Sequence, residues 1–81
     1  MNTEMKVGDY YYDYGIFAKW LVKITKIIAD GLFEFVVIFS NYENDERVGK
    51  IGTDKSNYHY VFIGDSNMEL KDAINIAKGM K

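Results

Sequence analysis

Ala29-Asp30-Gly31 stands between two runs rich in aromatic and β-branched residues. This tripeptide constrains the chain more than any other feature. Aspartate followed by glycine is a hairpin turn, because glycine enters positive φ at no steric cost. The runs on either side, residues 17–28 and 32–40, must then be antiparallel neighbours. Their patterns agree. Ala18, Trp20, Val22 and Ile24 fall on one face, with Lys19, Lys23 and Thr25 on the other. Lys26 breaks the phase, and a bulge near Thr25 would return Ile27 to the core. In the following run Phe33, Phe35, Val37 and Phe39 share one side; Leu32, Val36 and Ile38 share the other, with Glu34 among them. A strand apolar on both sides is central and covered twice, or carries an interface. Either a C-terminal helix or the curl of a small barrel covers the second side, or a second copy of the chain does, which makes a homodimer possible.

Sheet signals continue outward from this hairpin. Residues 5–14 read as a first strand, dominated by Tyr10, Tyr11, Tyr12 and Tyr14, with Gly8-Asp9 marking a bulge or bend. Residues 41–57 are polar loop, with a short strand at 47–51, and residues 58–63 form a last strand ended by Gly64-Asp65. A helix is expected over residues 67–78. Ser66 and Glu69 have capping-box spacing, Leu70, Ala73, Ile74 and Ala77 make an apolar stripe, and Gly79 is a possible stop. The expectation is one domain over residues 1–81, mainly β (β-rich α+β). It is a small, strongly bent antiparallel sheet or SH3-like barrel of 4–5 strands, closed by a C-terminal helix.

Composition narrows the function. The apolar share of 48% supports a core, although a chain this short buries only about 60% of its unfolded surface. There is no cysteine, hence no disulfide, thiolate metal site or thiol nucleophile, which fits a reducing compartment. The first residues lack a signal-peptide h-region, and no apolar run approaches the roughly 20 residues a membrane span needs. A cytoplasmic protein without membrane contact is expected. The net charge of -2 lacks the basic excess of a phosphate-binding protein.

Val7-Gly8-Asp9-Tyr10, the long hairpin from Trp20 to Phe39 and the late strand Tyr60-Val61-Phe62-Ile63-Gly64 together resemble the SH3-like small barrels of short bacteriophage and bacterial proteins. Tyr11-Tyr12-Asp13-Tyr14 is also similar to the Tyr-Asp-Tyr stretch of peptide-binding SH3 domains. The paired tryptophans and the proline of that peptide groove are missing. The resemblance therefore implies a barrel, and a regulator or inhibitor acting on a host or defence protein, without proline-motif recognition.

Candidate sites follow from residue chemistry. On a strand Tyr11 must face away from Tyr10 and Tyr12, so at least one set should reach the surface. Tyrosine offers large contact area at low entropic cost. With Tyr14, Tyr58 and Tyr60, these rings make a candidate protein-binding face, or alternatively cover core edges. Glu43, Asp45 and Glu46 form an acidic loop that could meet a basic partner; it lacks the glycine and terminal glutamate of an EF-hand. His59 would need Ser40, Ser56 or Ser66 for a triad, and no nucleophile-elbow sequence is present. No catalytic residue, metal site or cofactor is assigned. The leading reading is a non-enzymatic binding module. The alternative is a small-barrel nucleic-acid binder using Lys19 and Lys23, with Lys26 nearby, and the tyrosines.

Overall fold

In a computed structural model, residues 4–55 and 59–80 are described; Tyr58 and Ser56 lie outside them. Five strands and a helix follow in chain order: β1 (Tyr10–Asp13), β2 (Trp20–Ala29), β3 (Leu32–Ser40), β4 (Ile51–Asp54), β5 (Tyr60–Gly64) and α1 (Leu70–Lys78). All strand pairs are antiparallel, in the spatial order β4-β3-β2-β1-β5. The Asp30-Gly31 turn joins β2 to β3 with Ala29 opposite Leu32, and Gly31 takes the positive φ of 76° that the turn requires.

The hairpin contains the expected bulge. Ile24 faces Phe35 and Lys26 faces Glu34, so Thr25 is the extra residue. It does not return Ile27 to the core. From Thr25 onward β2 is exposed, because β1, its neighbour on the other side, pairs with it only as far as Lys23. A second slip was not anticipated. Leu21 faces Phe39 while Val22 faces Val37, which leaves Ile38 over. One extra residue reverses side-chain phase. Phe39 therefore leaves the face of Phe33, Phe35 and Val37 and packs on the opposite one.

The sheet is strongly bent, though its edge strands are not paired with each other. Three strand spacings separate β3 from β5, which in a flat sheet is roughly 14 Å. Yet the rings of Phe33 and Tyr60 lie 5.3 Å apart, edge to face. The Tyr60 hydroxyl then donates to Asp54 Oδ2 at 2.8 Å, tying β5 to β4 by side chains. Inside the curl, Tyr11, Val22, Ile24, Phe33, Phe35, Val37 and Tyr60 form one buried cluster. On the outer face, Tyr10, Tyr12 and Leu21 form a second with Ala73 and Ala77 of α1. The helix covers the second side of the sheet, and every residue of β1 is buried.

Several boundaries move. Residues 5–9 are not strand: Asp9 N–H donates to the Lys6 carbonyl, Lys6 N–H donates to the Asp9 carboxylate, and Gly8 turns at φ 94°. The strand expected at 47–51 begins only at Ile51, since residues 47–50 form a turn closed by Lys50 N–H on the Arg47 carbonyl. The helix starts at Leu70, and Ser66 does not cap it. Asp65 competes for this stretch: its carboxylate takes the Asn67 N–H and its carbonyl takes the Met68 N–H, which holds residues 65–68 in a turn. Gly79 ends the helix without using its conformational freedom, in a right-handed conformation with its N–H on the Ile76 carbonyl.

The two tyrosine hydroxyls of β1 that face opposite ways give a direct test of this packing. Tyr11 Oη is buried without a hydrogen-bond partner, and desolvation, with Asp9 nearby, raises its pKa. Tyr12 Oη accepts from Asn41 Nδ2 at 2.8 Å. Removing an unpaired buried hydroxyl removes a desolvation cost, whereas removing a paired one leaves its partner unsatisfied. Tyr11→Phe is expected to be neutral or stabilising by up to about 1 kcal/mol, and Tyr12→Phe to cost about 1 kcal/mol. Thermal unfolding should therefore place Tyr11→Phe at or above the parent and Tyr12→Phe below it.

Candidate functional site: the loop between the first two strands

The end of β1 is set by Asp13. Its buried carboxylate accepts the Gly15 N–H at 3.0 Å through Oδ1, turning the chain one residue after the strand stops. The same oxygen meets His59 Nδ1 at 2.9 Å, and the Tyr14 N–H donates to the His59 carbonyl at 3.1 Å. Ala18 N–H donates back to the Gly15 carbonyl, and Ala18 is buried. The loop is thus fastened at both ends. Its tip carries Ile16 and Phe17, each 88% exposed, beside Tyr14 at 52%. An open cleft of about 570 Å³ runs along it, with Trp20, Asp13 and His59 in its wall.

Two further carboxylates, Asp54 and Asp45, hold the wall residues His59 and Trp20. His59 Nε2 lies 3.5 Å from Asp54 Oδ2, so the imidazole stands between Asp13 and Asp54, and its ring stacks at 4.5 Å on Tyr60. The Tyr60 hydroxyl is pushed well above the usual phenol range, first by burial and then by its bond to Asp54. Trp20 is held from the other side. Its indole N–H donates to Asp45 Oδ2 at 2.8 Å, the Ser40 hydroxyl donates to the same oxygen at 2.6 Å, and the Arg47 guanidinium lies 5.7 Å above the indole ring.

Several of the residues expected to form a surface are therefore elsewhere. Tyr10 and Tyr12 lie under the helix, and Tyr11 and Tyr60 lie inside the curl. This corrects the expectation that one tyrosine set reaches the surface, since both sides of β1 are covered. Tyr14 alone of the β1 group is exposed, and Tyr58 is outside the described residues. Glu43 and Glu46 are exposed on their loop, but Asp45 is a clamp on Trp20. The basic residues are dispersed. Lys23 sits over the ring of Tyr10, whose burial removes it from base stacking, and Lys19 sits over Tyr42. Of the serines named with His59, Ser40 is bonded to Asp45, Ser66 lies against Gly8, and Ser56 is outside the described residues.

Ile16 and Phe17 are not among the candidate residues drawn from the sequence. The signal was available. Two large apolar residues directly after a strand-ending glycine occupy a position where turns favour polar residues. The expected strand over residues 17–28 includes Phe17, whereas β2 begins at Trp20.

The Asp45 clamp has a pH consequence. Its carboxyl is held below the ordinary value of 3.8, first by the Ser40 hydroxyl and then by the Arg47 N–H. A carboxyl lowered in the folded state contributes stability that is present above the unfolded value and lost as pH falls through the folded value. Acidification below about pH 4 should therefore release the indole, and Trp20 is the only tryptophan. Its fluorescence is expected to change over that range, and Asp45→Asn should show the altered emission already at pH 7.

Searches of protein families, of curated proteins and of solved structures give no match to this chain. Among the described residues, no helix is long and apolar enough to cross a membrane.

Proposed function

We propose that this chain is a non-enzymatic binding module that docks on another protein through the loop after β1. The observation that carries this reading is the loop tip itself. Ile16 and Phe17 point into solvent at 88% exposure from a loop whose ends are pinned by Asp13, His59 and Ala18. Large apolar side chains held rigidly in water cost free energy in the isolated domain, and exposed patches of this kind mark interaction sites. Pre-ordering the loop also reduces the entropy lost on association. The cleft beside it, walled by Tyr14 and Trp20, offers a partner side chain an aromatic seat. His59, with a carboxylate facing each ring nitrogen, serves to brace the loop. The kinship with SH3-like small barrels belongs to the same proposal, because the hairpin and the late strand that carry the resemblance form β2, β3 and β5 of this bent sheet.

The test is capture by the immobilised full chain from lysate of its source cell, parent against an Ile16→Ser, Phe17→Ser double variant. Both side chains are on the surface, so the variant should unfold at the parent's temperature. Proteins retained by the parent are expected to bind the variant about 30-fold less tightly or worse, as removal of hot-spot residues costs about 2 kcal/mol or more. An unchanged set of retained proteins at unchanged affinity would refute the reading.

A further inference from the structure

We propose, on the docking reading of the loop after β1, that the cleft beside it seats an arginine side chain of the protein partner. The wall is aromatic: Tyr14, Phe17, Trp20 and His59 line the cleft, together with Ile16 and the buried Asp13. Among the described residues, no lysine or arginine lines it. Lys19, between two lining residues, turns instead to the ring of Tyr42, 5.8 Å from its centre.

The groups that hold this wall are mostly negative. Asp13 and Asp54 face the two ring nitrogens of His59 at 2.9 and 3.5 Å, and Asp45 accepts the Trp20 indole N–H at 2.8 Å. Against these three carboxylates stands one guanidinium, that of Arg47. The balance is negative whether or not His59 carries a proton. Charge of one sign around a recess with apolar walls focuses its field there and favours the opposite charge. An indole whose N–H donates to a carboxylate is also polarised by that bond, which makes its π face more negative.

Aromatic walls select arginine over lysine. A guanidinium is planar, weakly hydrated and stacks on rings, whereas an ammonium is compact and strongly hydrated. The molecule holds its own example. The Arg47 guanidinium lies 5.7 Å from the centre of the Trp20 ring, within the reach of cation–π attraction. Arg47 is exposed and does not line the cleft, so it leaves the space beside Phe17 to other groups. Arginine is also enriched among the residues that carry binding energy at protein interfaces.

The test titrates the full chain with N-acetyl-arginine methylamide at fixed ionic strength, against the citrulline analogue, which has the same shape without the charge. Trp20 is the only tryptophan, so the spectrum contains one indole N–H signal. The arginine compound is expected to shift that signal and the Phe17 and Ala18 amides saturably, with a Kd of about 1 mM. The citrulline compound should bind about tenfold more weakly. Ile16 is at the exposed loop tip, where a charge leaves the interior untouched. Ile16→Lys should weaken binding of the arginine compound about threefold and Ile16→Glu should strengthen it about threefold, with the citrulline compound unaffected. Equal affinities for the two compounds, no saturable shift at about 10 mM, or the same change in both Ile16 variants would overturn the proposal. Loss of captured proteins in the Ile16→Ser, Phe17→Ser variant would still support the docking loop in that event, so the two readings fail separately.

Discussion

Leu21→Ala is expected to remove much of the stability of this domain. Leu21 has no exposed surface and fills the space between β1 and the helix, against Tyr10, Tyr12, Ala73 and Ala77. The two alanines add little volume to that cluster, which Leu21 fills together with the rings of Tyr10 and Tyr12. Truncation of a buried leucine costs about 2–5 kcal/mol, the upper end where the walls cannot collapse. Here they are fastened. Asn41 Nδ2 donates to Tyr12 Oη at 2.8 Å and to the Ala77 carbonyl at 2.9 Å, joining the loop after β3 to β1 and to the helix. A domain holds only about 5–15 kcal/mol in total, and a small one the lower part of that range. The midpoint of thermal unfolding should fall by more than about 10 °C. A fall of only a few degrees would show that the helix does not seat on Leu21.

Gly8→Ala is the second large effect, and its cause is backbone geometry. Gly8 has φ 94°, and a Cβ placed on it would lie 2.7 Å from Ser66 Cβ. Neither side can yield easily. The Gly8 N–H donates to the Ile24 carbonyl at 2.8 Å, the Ile24 N–H donates to the Asp9 carbonyl at 2.9 Å, and Ser66 belongs to the turn held by Asp65. Left-handed strain for a residue with a Cβ costs about 1–2 kcal/mol, and overpacking adds about 1–3 kcal/mol. Urea unfolding should show a loss of about 2–4 kcal/mol, the two causes partly overlapping. Gly49→Ala is the control. That glycine also has positive φ (89°) but nothing within 4 Å of its Cβ position, so it should lose only the strain.

Much of the sheet was legible because local chemistry dictates it. Asp30-Gly31 can do little but turn, and the alternation of Phe33, Phe35 and Val37 against Leu32, Glu34 and Val36 can be satisfied only by a strand. The bounds of β3, Leu32–Ser40, follow from those signals alone. The opposite orientations of Tyr11 and of Tyr10 with Tyr12 follow from the pleat in the same way. The helix stripe Ala73, Ala77 was equally plain, whereas its start was not. Asp65 and Ser66 compete for the same amides, and Asp65 holds them in a turn whose Ser66 is packed against Gly8, far away in the chain.

The candidate site was less legible, for a related reason. Tyrosine suits a core edge and an interface about equally, so burial decides its role, and burial is not local. Whether Tyr11 meets water depends on Phe33 and Phe35, more than twenty residues away, and on how far the sheet curls. Asp45 reads as a loop charge until Trp20 and Ser40 arrive to bond it.

The sequence by itself determined the antiparallel strands, the central hairpin and the apolar side of the helix, because period and turn chemistry act over a few residues. Only the tertiary structure decided which rings are core and which loop stands bare. Those outcomes depend on what covers each surface, and the covering segments lie far away in the chain.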